Sequence, residues 1–589
     1  MYIVPATKTE PAAPEGDHSD PMPGVTMIRY LLFIASLSTF QGFAIGAESG
    51  AAPIPANVVE SATRSITRPL LESTIRFLAD DALEGRAPGS RGDALARLYL
   101  STQLQSLGYE PGGPDGEWQQ IFDMVGITAQ TPPHWSFTAG DRRIDLQAST
   151  EFIVASGVQA EQSKIDNAEL VFVGYGIEAP EYRWNDFKGV NLKGKVLLML
   201  NNDPDWDPKL FEGNRRLYYG RWVYKYESAA RQGAAGAIII HTTPSAGYPW
   251  QVVQSSWGGE QFELPVAGEP RLQAKGWATE DAARRLVALA GLDLDRLVAQ
   301  AKSRSFKPVR LGIHTSLVFD NKLTRVQTGN VAGLLRGSDA RLRDQVVVYT
   351  AHHDHLGVGR QNFADKSGGA DRIYNGARDN ASGCAQVLAI AKALADLPER
   401  PRRSALILFV AAEEQGLLGS AYYTRHPTFA PGKIAANINY DSSNIWGATR
   451  DVSLVGSGKS SLDRVAQAVV SLQQRVLMPD QFPDRGIYYR SDQFSFAKIG
   501  VPALYFKTGT DFVGRPAGWG KEQIERDERT NYHQPSDQLT AEWNFDGMVQ
   551  DAQLGFLSGW LVQQSDSLPT WNAGDEFEAA RKRALATIP

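Results

Sequence analysis

"VVVYTAHHDHLGVG", residues 346–359, joins an unbroken apolar run to three histidines and one aspartate. The chain has only nine histidines in 589 residues, so three of them at His352, His353 and His355 around Asp354 is a concentration that asks for a reason. The run Val346–Ala351 reads as a strand buried on both faces, the kind found inside a parallel sheet. On a strand alternate side chains share a face, so His352 and Asp354 point one way and His353 and His355 the other. If His352 held a metal, Asp354 would be placed to accept its other ring N–H. Parity leaves open which pair faces the site.

Reading outward, "SALILFVAAEE" (404–414) and "KIAANINYD" (433–441) repeat the pattern of apolar strand and ionisable end, finishing in Glu413-Glu414 and Asp441. Between them lie helix-like segments, "SGCAQVLAIAKALADL" and "GLLGSAYYTRH", and the strand "VPALYF" follows later. Strand–helix alternation predicts an α/β fold, a mostly parallel sheet sandwiched between helices. In such sheets sites form beyond the carboxyl ends of the strands. The loop "YNGARDNASG" brings Asp379, and "TNYHQPSD" brings Tyr532 and His533. Two histidines and several carboxylates converging on one edge point to a metal site. Cys384 falls on an apolar stripe and reads as a core thiol. Ser491, Asp492 and His533 invite a hydrolase triad, but no G-x-S-x-G elbow accompanies them, and Asp492 is read as supporting the site.

A net charge of −6 argues against nucleic-acid binding. Residues 1–26 are rich in Pro, Glu and Asp and read as a disordered, non-native leader, with translation starting at Met27 or Met22. Residues 27–47, "MIRYLLFIASLSTFQGFAIGA", have the charged start, apolar middle and small-residue end of a signal peptide. They predict an exported protein, periplasmic or secreted, with no stable membrane insertion after signal removal. The rest divides into 48–159, an N-terminal part of the main domain; 160–303, a smaller β/α lobe; 304–565, the main domain with the metal site; and 566–589, a polar tail.

The ordered motifs "AHHDHLG", "NGARDNASG", "FVAAEEQGLLGS", "NINYD" and "YHQPSD" resemble those of the M28 family of zinc exopeptidases. "FLADDALEGRAPGSRG" (77–92) is similar to the segment before the core in bacterial members, and 160–303 resembles an inserted protease-associated (PA) domain. The resemblance implies two Zn²⁺ ions, one held by His352, Asp379 and Asp441, the other by Asp379, Glu414 and His533. It implies that Glu413 is the general base activating a metal-bridging water, that Asp354 supports His352, that Tyr532 helps hold the developing oxyanion, and that a cis peptide follows Asp379. Three carboxylates and a hydroxide would neutralise the two ions. The expected function is an aminopeptidase acting on peptides with a free N-terminus. Two alternatives stand beside it: a glutamate carboxypeptidase-like exopeptidase, and a non-catalytic receptor-like binding protein on the same fold. The lobe is expected to fold back over the catalytic edge, with "RRLYYGRWVYKY" (215–226) bounding a cleft.

Overall fold

The computed structural model describes residues 54–257, 259–359 and 371–588. The expected leader and signal peptide lie outside the described residues. Three helices come first: α1 (Ala56–Ser65), α2 (Arg68–Leu78) and α3 (Arg91–Ser106). Ser90 caps α3 by accepting the Asp93 N–H through its side chain. Leu100 and Leu104 of α3 are fully buried, whereas Leu98 is 56% exposed because it lies off their four-residue spacing.

Strand β1 (Gln119–Ala129) leads into a lobe built from β2 (His134–Ala139), β3 (Arg142–Gln147), β4 (Phe152–Ser156), β5 (Gln162–Phe172), β6 (Val196–Leu200), helix α4 (Trp222–Arg231), β7 (Gly236–His241) and β8 (Ala274–Thr279). Strands β5, β6, β7 and β8 run parallel, with β4 antiparallel to β8. The lobe therefore starts near residue 134, not at 160: β2, β3 and β4 precede residue 160 yet pair within the lobe's sheet. The β2–β3 hairpin is local, but the pairings that join β2 to β9 and β4 to β8 are long-range and leave no local mark in the sequence.

Strand β9 (Val309–Leu335) is the seam of the molecule. Its first half pairs antiparallel with β5 of the lobe, and its second half with β1 and the main sheet. The main sheet continues through β10 (Val346–His352), β11 (Ser404–Val410), β12 (Ile434–Asn439), β13 (Asp451–Val455), β14 (Val476–Pro479) and β15 (Ala503–Thr508). The expected parallel arrangement is its centre, β11–β10–β12–β15. The flanks are antiparallel, β9 against β11 and β13 against β15, so the whole is a mixed sheet. Helices cover both faces, as the apolar strands require. Val347, Tyr349 and Ala351 pack toward α1–α3, α5 (Ser382–Ala395) and α6 (Asp546–Gln564), while Val346 and Val348 pack with Tyr423 and Phe496 on the other side.

The C-terminal residues do not behave as a loose tail. Trp571 and Phe577 are buried, Trp571 Nε1 donates to the Gly500 carbonyl at 2.9 Å, and Arg581 in α7 (Glu578–Ala586) is 1% exposed and donates to the Ile434 carbonyl at 2.9 Å.

Candidate metal centre

The carboxyl ends of β10, β11 and β12 deliver His352, Glu413-Glu414 and Asp441 to one place. Ala412 adopts a left-handed φ of 55°, which turns the chain sharply off β11 just before the two glutamates. Asp379 comes from the tight turn Ala377–Ala381 before α5, with a cis peptide between Asp379 and Asn380. His533 comes from the loop after the helix Trp519–Thr530.

Asp379 stands in the middle. Its Oδ1 lies 3.2 Å from His352 Nε2, and its Oδ2 lies 3.4 Å from His533 Nε2. Asp441 Oδ1 is 3.8 Å from His352 Nε2, and Glu414 Oε2 is 3.1 Å from His533 Nε2. Glu413 Oε2 is 4.0 Å from His352 Nε2. The five residues expected as ligands, and Glu413, are thus brought together in two donor sets that share Asp379.

Each ligand is held from behind. Asp537 accepts the N–H groups of Arg378 (2.8 Å) and Asp379 (3.0 Å). Tyr505 donates to Asp441 Oδ2 at 3.2 Å and Ser442 to Oδ1 at 3.0 Å, while Lys507 reaches the Asp441 carbonyl at 2.6 Å. Arg86, fully buried, donates to the carbonyls of Leu78, His353, Asn375 and Gly376, so the 77–92 segment ties the His352 loop to the Asp379 loop. Tyr505, Lys507 and Asp537 were not singled out from sequence, although Asp537 closes the "YHQPSD" motif.

Asp354 is placed differently from expectation. The His352 Nδ1 contact is the backbone carbonyl of Asp354 at 3.3 Å, with the carboxylate 3.8 Å away. The carboxylate instead accepts the N–H groups of Glu413 (3.1 Å) and Glu414 (3.3 Å), because the chain end of β11 offers it two unpaired donors. His353 pairs with buried Asp93 at 3.0 Å. His355 is also wholly buried: its Nδ1 lies 2.8 Å from Glu414 Oε1. Tyr532 stacks on the His533 ring at 3.9 Å and is 38% exposed. Cys384 is buried in α5 with its Sγ against the His352 carbonyl. Both carboxylate oxygens of Asp492 are buried without a hydrogen-bond partner.

Charge follows geometry. Burial resists ionisation of Asp441, but Lys507 and His352 outweigh it and hold the carboxyl well below the usual range. Glu414 is likewise held at about 2 against its burial, chiefly by His533. Glu413 goes the other way: burial, with Glu414 and Asp441 beside it, raises its carboxyl well above the ordinary value.

The donor set fits a zinc-type cation. The Nε2 atoms of His352, His355 and His533 are buried and lack a hydrogen-bond partner among the described residues, a costly state that a metal relieves. Among the described residues, ligand atoms gather within 4.8 Å in three groupings: His352 with Asp379 and Asp441, His352 with Glu413 and Glu414, and His355 with Asp379 and Glu414.

Residues 330–557 match the model of Peptidase family M28. Over 132 residues the chain is 30% identical to a probable zinc metalloprotease of Leptosphaeria maculans, covering 22% of this chain and 25% of that protein. The matched stretch thus spans a quarter of the length of that curated relative. Among solved structures it is similar to an aminopeptidase from Aneurinibacillus sp. strain AM-1, at 18% identity over 85% of this chain and 95% of that one, with a TM-score of 0.46. A peptidase M28 precursor from Shewanella amazonensis SB2B matches at 17% identity over 87% of this chain and 97% of that one, with a TM-score of 0.38.

Proposed function

We propose, for a chain whose residues 330–557 match the model of peptidase family M28, a two-zinc aminopeptidase that removes N-terminal residues from peptides outside the cytoplasm. The observation that carries the reading is Asp379, whose two oxygens face two histidines, each with its own further carboxylate. One ion would be held by His352, Asp379 and Asp441, the other by Asp379, Glu414 and His533. Bound zinc supplies a Lewis acid that polarises water and the scissile carbonyl.

The chain's own residues supply the rest. Glu413 takes the proton of the attacking water and passes it to the leaving amine. Asp354 fixes the backbone of both glutamates, so base and ligand leave the strand end in set directions. Asp537 orients the bridging Asp379 through its backbone N–H. Tyr532, stacked on His533, is the group assigned to the developing oxyanion. The lobe is read as PA-like, and export as directed by residues 27–47. Tyr218 stacks on Tyr489 at 6.2 Å and lies 4.7 Å from Phe494, so the 215–226 segment packs against the main domain, while Tyr219 and Tyr224 pack in the lobe itself.

The test is a panel of aminoacyl-nitroanilides with free and blocked N-termini, run with zinc-loaded, chelated and zinc-restored protein. Cleavage of free substrates only, lost on chelation and regained with zinc, is the expected result. Full activity in metal-free protein would sink the metal assignment. Preference for blocked peptides cut at the C-terminal residue would move the reading to a carboxypeptidase. Zinc binding without any turnover would move it to a receptor-like protein.

A further inference from the structure

Strand β15 ends at the metal centre, and five of its six residues are buried. The exception is Lys507, a charge set into an otherwise apolar run. Leu504 and Phe506 pack with the helices on one face of the sheet, and Tyr505 faces the other way. By strand parity Lys507 shares the face of Tyr505, one step nearer the open end of the strand. Tyr505 donates to Asp441 Oδ2. Lys507 Nζ lies 5.0 Å from the Tyr505 ring centre, donates to the Asp441 carbonyl at 2.6 Å and stands 4.0 Å from Asp441 Oδ1. It therefore sits on the outer flank of Asp441, with its side chain 24% exposed.

That flank is walled. Arg378, next to Asp379, donates to Asp527 of the helix Trp519–Thr530 at 2.5 Å and to the Ser443 carbonyl at 3.1 Å, so the helix is tied to the chain just after Asp441. Glu528 of the same helix pairs with Arg485 at 2.7 Å, which draws residues 483–486 up against it. Lys507 lies within electrostatic reach of both Arg378 and Glu528, between the two ties. The carboxylates near it are engaged elsewhere: Asp527 and Glu528 have their arginines, and Asp379 and Asp441 belong to the donor sets of the metal centre. Among the described residues the 4.0 Å contact with Asp441 is the only ion pair of Lys507, and its three N–H donors share one hydrogen bond. A cation so short of partners in a walled recess favours an anion that can enter from solvent. A carboxylate answers both the charge and the spare donors.

We infer that the recess beside Asp441 takes the side chain of the substrate's N-terminal residue, and that Lys507 selects aspartate or glutamate there. This deepens the aminopeptidase reading and rests on it. An enzyme that starts from the N-terminus needs one end of its cleft shut and the other open to the rest of the peptide, and the walled flank is the shut end. Lys507 Nζ, Asp441 Oδ1, His352 Nε2 and Glu413 Oε2 follow one another at 4.0, 3.8 and 4.0 Å. One glutamyl residue can span that path, with its carbonyl at Glu413 and its side chain at Lys507. Lys507 sets specificity and takes no part in the bond chemistry.

The experiment measures kcat/KM for the p-nitroanilides of Glu, Gln, Asp, Leu and Lys, all with free amines, using full-length zinc-loaded protein and recording the zinc content of every variant. Glu is expected to exceed its neutral isostere Gln by roughly ten-fold, the size of one charge-assisted contact. In Lys507→Met that ratio should fall toward one, mainly through KM, and in Lys507→Glu the Lys substrate should overtake the Glu substrate. Lys507→Arg keeps the charge on a longer side chain, so the preference for Glu over Gln should persist while the Asp:Glu ratio rises. A Glu:Gln ratio near one in the wild type overturns the acidic pocket. An unchanged Glu:Gln ratio in zinc-replete Lys507→Met overturns the assignment to Lys507; where that variant loses zinc, an unchanged Asp:Glu ratio in Lys507→Arg does so. Hydrolysis of none of the five overturns the aminopeptidase reading instead. Calorimetric binding of glutamic acid α-amide and glutamine α-amide to the wild type then still decides the pocket: tighter binding of the acid supports it, and equal binding overturns it.

Discussion

Asp379 cannot turn both oxygens outward unless its backbone is held, and Asp537 holds it by accepting two successive N–H groups. The same division between gripping and being gripped separates the two glutamates. Glu413→Gln should keep the metal and lose roughly 10²–10⁴ in kcat, because an amide cannot take the proton of water. Glu414→Ala should lose metal as well as rate. Metal content measured beside kcat for both variants checks this, and loss of zinc from Glu413→Gln would reverse the roles. His355 stands behind Glu414 at 2.8 Å, so His355→Ala should weaken metal affinity by roughly 10–100-fold, read by competition with a chromophoric chelator. The site's residue types were legible because strand ends and motif order mark them. The job of Asp354 was not, because strand parity describes side-chain directions only up to His352, where β10 ends and the alternation stops applying.

Two elements are fastened by single charged residues. Arg86 satisfies four carbonyls from three separate segments, and no neutral side chain can replace it. Arg86→Met should cost about 3 kcal/mol or more, measured by denaturant unfolding, with metal affinity falling in step as the two ligand loops loosen. Glu169 of β5 accepts from Arg310 of β9 at 2.6 and 2.8 Å and from Lys195 at 3.0 Å. These partners hold its carboxyl at about 2, below the ordinary 4.5. A depressed carboxylate contributes its stability above the unfolded value and loses it as pH falls toward the folded one. Glu169→Gln should therefore destabilise by about 1–2 kcal/mol at neutral pH, given the exposure of Arg310, and the gap to wild type should close between about pH 4.5 and about pH 2. Thermal melts of both proteins across that range would show it; a constant gap would assign the cost to packing. The helix and strand types of most elements were readable from apolar period. The antiparallel flanks were not, since burial on both faces looks the same in either strand direction.

On the scale of the molecule, residues 566–589 read as a polar tail, but composition does not record that Trp571 and Phe577 are buried or that Arg581 reaches the carbonyl of Ile434. Truncation before Leu568 should cost on the order of 5 kcal/mol, enough to lower the melting temperature by several degrees or to abolish soluble expression. The lobe boundary was misread for a related reason: the hairpin His134–Gln147 is local, but it and Phe152–Ser156 join the lobe through partners more than a hundred residues away. Those partners also decide how the lobe can move. The two crossings between lobe and main domain are β1 and β9, and they cross as one paired ribbon: Ala129 lies opposite Asn321, Gln130 N–H donates to the Asp320 carbonyl at 2.8 Å, and the Asn321 side chain reaches Ser156, Ala160 and Ser163. A lobe carried on two free linkers would swing; one carried on a ladder and fastened again where Tyr218 packs on Tyr489 and the Arg216 N–H meets the Pro483 carbonyl is a bracket held at both ends. The spacing between lobe and main domain is then set by strand twist and by that second fastening rather than by a joint.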